Sequence, residues 1–317
     1  MKLKAIIPAT LCALILAAVT STSRAERIIV THSVRSSLSI GPLLYGIYRG
    51  FYKDEGIDLL YVSMRTDLGI KALLAGDVDY TYSAGTAIRA AVQGVPVRAI
   101  SFDFDRVFHS LMARPEITSA AALKGKKVAV SSFGSSADVS ARVALRALGL
   151  DPNRDVSIIA LGEDAIRYAA LQSGTVQATT MSLPLNIRLK KEGYRELIYV
   201  GKILQQPLTG FVTSRDNIRR KPEQIQRVMR AFVRAMRAFK SDRPDFISFA
   251  QKKFGLSKDV TEETYDYLLD SLTQDGFVEP SVLEKAIEEA KKLVGSERTV
   301  AAKDVVDYSF LRAALKN

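Results

Sequence analysis

The feature that most limits the fold of this chain is a repeated exchange of short apolar strands and helices whose ends are marked by glycine. Residues 27–32 (RIIVTH) form a β-branched run, 42–52 carry Leu43, Leu44, Ile47 and Phe51 at helical spacing, and 58–64 (DLLYVSM) read as strand again. A helix over 68–75 closes at Gly76, a strand spans 78–83, a helix over 86–93 closes at Gly94, and a strand spans 97–102. A second series begins after Pro115. Strands over 126–131, 156–161, 176–181 and 196–200 alternate there with helices over 137–148, 164–171 and 185–191. Short links between alternating elements favour parallel sheets with right-handed crossovers, so two such series predict two α/β lobes. Beyond Pro222 the pattern turns helical. Ile225, Val228, Met229, Phe232, Val233, Met236 and Phe239 mark one apolar face of a long helix, and Ser281 with Glu284 predicts a capping box for a helix running to about Leu293.

Residues 1–25 have the makeup of an export signal. Lys2 and Lys4 form a charged start, 5–19 are mostly apolar, and Ser23 and Ala25 occupy the −3 and −1 positions of a cleavage site. The apolar run is shorter than the ~20 residues a spanning helix needs, and an uncleaved anchor is the alternative. Leu11 before Cys12 argues against a lipoprotein. Cys12 is the single Cys of the 317 residues, so the exported part carries none and is safe in an oxidising compartment. The same count rules out an internal disulfide and a cysteine-clustered zinc site, and with only two His no cofactor or metal is expected. The formal charge of +11 would suit nucleic acid, but export turns it toward an anionic ligand, a lipid surface or a partner.

Catalytic motifs are absent: there is no G-x-S-x-G, P-loop, G-x-G-x-x-G or H-E-x-x-H. His32, at the end of the first strand, and His109, in an apolar stretch, read as packed or surface histidines. Asp103 and Asp105 end a strand near a possible cleft, without a partner that would make them catalytic. The informative residues are small and polar and sit where strands end and helices begin: Ser37 and Ser39 (with Ser36), Ser83, Gly85 and Thr86, and Ser132, Gly134, Ser135 and Ser136 (with Ser131). Free N–H groups at a helix start favour an anion or polar acceptor, hydroxyls add donors, and glycine permits close approach. Ligands of open α/β sheets bind beyond the carboxyl ends of strands, where all three clusters are expected. Plain N-capping is the competing reading for each cluster. Arg65 and Thr66 end the second strand, where Arg65 either forks onto a carboxylate or sulfonate or lies on the surface. Arg227, Arg230, Arg234 and Arg237 share a helix face that is either solvated or turned to a membrane or partner.

Three stretches together resemble one family. Leu74-Ala75-Gly76-Asp77-Val78-Asp79 with Ser83-Ala84-Gly85 and Gln93-Gly94-Val95-Pro96 is similar to the first lobe of the nitrate/sulfonate/taurine-type substrate-binding proteins of ABC importers, relatives of the thiamine-pyrimidine precursor binders. Leu123-Lys124-Gly125-Lys126-Lys127-Val128 with Gly134-Ser135 resembles the start of their second lobe, and Val306 to Leu311 their C-terminal helix. The resemblance implies a type 2 periplasmic binding fold, α/β, with two mostly parallel sheets flanked by helices and two crossover strands. Lobe 1 would comprise 26–114 plus 208–317 and lobe 2 115–207, with crossovers near Arg114-Pro115 and Gln206-Pro207. It also implies a periplasmic monomer, hinge closure on a small anionic molecule, and delivery to an inner-membrane permease. Nucleic acid is not an expected partner. Such binders often carry a Trp near Leu183, a position expected at the ligand; this chain has no Trp, though Tyr82, Phe104, Phe108 or Phe133 could offer an aromatic face. The alternatives are an exported sensor, a receptor for a pyrimidine or thiamine precursor, and an enzyme of unknown chemistry; the cysteine-rich segment of the enzymatic branch is lacking.

Overall fold

The computed structural model describes residues 25–33 and 38–316. The expected export signal up to residue 24, and Ser36 and Ser37, lie outside the described residues. The strands are β1 (Glu26–His32), β2 (Ile57–Ser63), β3 (Tyr80–Thr81), β4 (Val97–Ala99), β5 (Ser110–Ala113), β6 (Lys127–Val130), β7 (Ser157–Ala160), β8 (Ala178–Met181), β9 (Arg195–Tyr199) and β10 (Val212–Ser214). They form two five-stranded sheets, ordered β2-β1-β3-β10-β4 and β7-β6-β8-β5-β9. In each sheet four strands run one way, and the strand that arrives from the other sheet, β10 or β5, is inserted antiparallel between two of them.

Most elements lie within a residue or two of where the sequence pattern puts them, and the differences have local causes. The helix expected over 42–52 is broken by Gly50, which takes φ 77° and separates Gly41–Tyr48 from Phe51–Asp54. β3 is only two residues long, because Asp79 meets the Ile29 N–H through its side chain and Ser83 already opens the next helix. The capping box does not form. Pro280, suited to the first helical turn, starts the helix Pro280–Val294 early and leaves Ser281 inside it. The long helix Pro222–Ser241 buries the predicted apolar face, with Phe239 packed against Phe246 and Tyr265. Its basic face is neither bare nor free. Arg227 pairs with Glu26, Arg230 with Glu55 at 2.6 Å, and Arg234 with Asp54 at 2.7 Å while stacking over Phe51; Arg237 is exposed.

The first change of sheet falls earlier than Arg114-Pro115, because β5 already pairs with β8 and β9; the second lies between β9 and β10 and includes Gln206-Pro207. The two crossing segments lie side by side and antiparallel. Ile100 N–H donates to Phe211 O at 2.8 Å, Asp103 N–H to Thr209 O at 3.0 Å and Leu208 N–H to Phe104 O at 3.1 Å, and Arg106 bridges to Gln205. Gly210 makes this closeness possible. Its φ is 151°, and a Cβ there would sit 2.0 Å from Ser101 O. Gly210→Ala is therefore expected to cost on the order of 2–4 kcal/mol, read from the midpoint of urea unfolding. An unchanged midpoint would show that the segments are not packed this closely.

Candidate functional site

Residues that follow the carboxyl ends of six strands converge on one cavity of about 310 Å³. From the first sheet come His32 and Ser33 after β1, Arg65 and Thr66 after β2, and Ser83 and Thr86 after β3. From the second come Ser131, Ser132, Ser135 and Ser136 after β6, Gly162, Glu163 and Asp164 after β7, and Ser182 after β8. Ala137, Ile166 and Arg167 also line it, and Ser39, His109, Leu208 and Thr209 form the wall beside the crossing segments. Four helices begin here, at Thr66, Ala84, Ser136 and Asp164, two from each side. Each turns the positive end of its dipole this way, though on the helix from Ala84 the Gly85 N–H already donates to Leu208 O at 3.2 Å and the Thr86 N–H to Ser83 O at 3.0 Å.

Of the residues singled out in the sequence, Ser39, Arg65, Thr66, Ser83, Thr86, Ser132, Ser135 and Ser136 line this cavity; Ser37 lies outside the described residues. Gly85, Gly134 and Leu183 do not line it. Gly85 packs on the crossing segment, where a Cβ would meet Pro207 O at 2.7 Å. Gly134 donates its N–H to Asp138 and faces a different cavity. Leu183 is fully buried in the apolar core. Among the described residues the cavity has no Phe, Tyr or Trp on its wall. Tyr82, Phe104 and Phe108 are wholly buried and Phe133 points to solvent, so no stacking face of the expected kind is present.

The hydroxyls differ in what occupies them. Ser135 accepts from Asp138 N–H at 3.2 Å and donates to Ser132 O at 2.6 Å, so it acts as a helix cap. Ser83 does not cap its helix; its Oγ shares a 2.9 Å hydrogen bond with His32 Nδ1. Arg65 is two-thirds exposed and paired with Asp67 at 3.1 Å, which leaves it on the rim. The buried guanidinium belongs to Arg167, whose ion pair with Asp164 is almost sealed from solvent. Arg167 also donates to Gly162 O at 2.6 Å and Thr180 O at 3.3 Å, while Asp164 accepts from Ser182.

Of the two alternatives, packed or surface, both histidines turn out to be packed, and both line the cavity, which the sequence reading did not anticipate. His109 Nδ1 shares a 2.8 Å hydrogen bond with Ser140 Oγ. Burial pushes each imidazole down to about 4, against a smaller opposing pull from Asp164. The signal was available for His32, since it ends β1 and obeys the same strand-end rule as the serines. Nothing local marks Arg167 and Asp164, whose partners are fixed only by the tertiary fold. Asp103, weighed above as a possible acid, does not line the cavity. It is fully buried behind it, accepts from the Tyr82 hydroxyl, and is raised to about 8 by loss of solvent.

These shifts have opposite signs in stability. Between about pH 4 and 6.5 the unfolded chain binds protons on both histidines that the folded one refuses, while folded Asp103 keeps a proton that the unfolded carboxyl has lost. The net difference favours the folded state as pH rises to about 6.5, by roughly 1.4 kcal/mol per pH unit, and reverses from there to about 8. Unfolding free energy is thus expected to peak near pH 6.5. In denaturant titrations across pH 4.5–8.5, His32→Gln with His109→Gln should remove the acid limb and Asp103→Asn the alkaline one.

Among curated proteins none matches this sequence. Solved structures do. The alkanesulfonate-binding protein SsuA of Xanthomonas axonopodis pv. citri, bound to MOPS, superposes with TM-score 0.71 at 19% identity over 91% of this chain and 96% of its own. The periplasmic aliphatic sulphonate binding protein SsuA of Escherichia coli gives TM-score 0.69 at 22% identity over 90% and 99%. The desulfurization enzyme DszB gives 0.67 at 16% over 92% and 99%. At these identities the likeness establishes the fold, and the two-sheet architecture is that of periplasmic binding proteins. The NMT1/THI5-like family profile matches residues 37–245, about two thirds of the sequence, and the chain belongs to the NMT1/THI5-like family.

Proposed function

We propose that this chain is a periplasmic solute-binding receptor of an ABC importer, which closes its two lobes around a small organic anion and delivers it to a membrane permease. The observation that carries the reading is the convergence of four helix starts, two from each sheet, on one cavity beside the crossing segments. Such a cavity loses half its donors when the lobes part, so a ligand touching both sides stabilises the closed form. The sulfonate binders of the same fold, at 19% and 22% identity, support the ligand class.

The charges of the wall refine the ligand. Arg65 and Arg167 are each paired with a carboxylate, and burial keeps both imidazoles neutral, so among the described residues no unpaired buried cation lines the cavity. Recognition would rest on helix-start N–H groups, on the hydroxyls of Thr86 and Ser136, and on the histidines. A volume of about 310 Å³ is at the low end for small-molecule sites and suits a compact ligand. Neutral imidazoles also favour a second reading, an uncharged heteroaromatic such as a pyrimidine, hydrogen-bonded rather than stacked. The neighbouring enzyme DszB makes turnover a necessary control.

The test is a thermal-melt screen of residues 26–317 against short alkanesulfonates, carboxylates, nitrate and pyrimidines. A ligand at a hundred times its Kd adds ~2.7 kcal/mol, a shift of several degrees. Small anions are expected to give the hits, with no product formed; hits confined to pyrimidines, or consumption of the hit, would reject the reading. For the identified anion, Ser136→Ala should weaken binding about 3- to 10-fold, the effect of one hydrogen bond, and rim Arg65→Ala by less than that. Titration calorimetry on the two variants checks the order.

A further inference from the structure

A second cavity, of about 650 Å³, opens on another side of the junction between the sheets. Its walls come from the helices Ala84–Val92 and Pro280–Val294 of the first sheet, the helix Ser136–Ala147 of the second, and Gln206 of a crossing segment. Arg89 is its buried centre, only 4% exposed. One Arg89 nitrogen, Nη2, donates to Thr86 Oγ1 at 2.8 Å, whereas buried Nε and Nη1 have no partner among the described residues. Leaving two donors of a buried guanidinium unmet is among the costliest omissions a fold can carry, so the geometry asks for an acceptor.

The surroundings give that acceptor a charge. Arg89, Arg142, Arg146 and Lys292 face two carboxylates, Asp138 and Glu289. Asp138 is already engaged by Arg142 at 2.9 Å and by Gly134 N–H at 2.9 Å. Arg146 and Lys292 enter no ion pair among the described residues and stand exposed at the mouth. Buried Gln206 Oε1, on the same wall, also lacks a partner, and it requires a donor. Desolvation presses the Arg89 guanidinium down to about 10, with only Asp138 opposing, so a bound negative charge would relieve a real deficit.

We propose that this cavity is a second binding site for a small oxyanion that carries its own hydroxyl, of which hydrogen phosphate is the simplest, with Arg89 as its anchor. The anion's oxygens take the two N–H donors of Arg89, its hydroxyl donates to Gln206 Oε1, and Arg146 and Lys292 supply attraction at the mouth. Since the walls belong to both sheets, an occupant here ties them together. Arg89 also holds Thr86, which lines the ligand cavity, so the two sites touch the same side chain.

The experiment is calorimetric titration of residues 26–317 with inorganic phosphate, and with sulfate as an oxyanion lacking the hydroxyl at neutral pH. Phosphate is expected to bind saturably and at least threefold tighter than sulfate. Arg146→Ala with Lys292→Ala, both exposed, should weaken phosphate at least fivefold without disturbing the fold, and Arg89→Gln should abolish it. Ser136→Ala, in the ligand cavity, should leave phosphate affinity unchanged. No saturable binding, equal affinity for sulfate, or loss of phosphate binding in Ser136→Ala with retention in the mouth variant would each overturn the assignment. Phosphate held in the first cavity instead is recognised by its loss in Ser136→Ala and its survival in the mouth variant.

Discussion

Two strips of backbone, residues 100–106 and 205–211, are paired side by side, and each sheet depends on that pairing for its fifth strand. The chain leaves the first sheet after β4 and enters the second as β5; it leaves the second after β9 and returns as β10. Each incoming strand is wedged antiparallel into a sheet whose other strands share one direction, which spares it a crossover helix. The strips are held by alternating N–H···O bonds and by aromatic packing, Tyr82 on Phe211 at 4.9 Å and Phe104 on Phe108 at 4.8 Å. At Gly210 a side chain would collide with Ser101 O, so the close pairing depends on glycine there.

The same topology explains where the cavity sits. Because both sheets present the carboxyl ends of their parallel strands to the joint, their following loops and helix starts meet across one gap. Two ion pairs form within that gap, Asp164 with Arg167 and Asp67 with Arg65, and Glu163 adds a further carboxylate to its wall. A buried pair such as Asp164 with Arg167 rarely adds stability of its own, and removing one partner alone would leave a costly uncompensated charge. Unspent positive charge lies instead in the cavity around Arg89. The basic face of the Pro222–Ser241 helix is likewise spent inside the molecule, on Glu26, Asp54 and Glu55.

Much of this was legible in the sequence because it is local. Strand and helix periods, the glycine stops and the serine clusters at strand ends each depend on a few consecutive residues, and they located most elements and eight of the cavity residues. What was not legible depends on distant partners. β5 (SLMA) and β10 (VTS) are too short to show a period and become strands only by insertion between others. The buried pair Asp164 and Arg167 looks like any helical i,i+3 pair until the fold seals it. His109 gains a role only because the crossing segment brings it to the gap. Leu183, carried over from the family resemblance, went the other way: the position is core, and the aromatic residues suggested in its place are core or solvent-facing.

The central claim is that the two sheets form a clamp closing on a ligand held by helix starts from both. Small-angle X-ray scattering of the ligand-free chain and of the same sample saturated with the ligand found by screening tests it most directly. The account predicts a smaller radius of gyration on saturation. An unchanged scattering curve in a sample that binds by calorimetry would contradict it, and would make the cavity a rigid pocket.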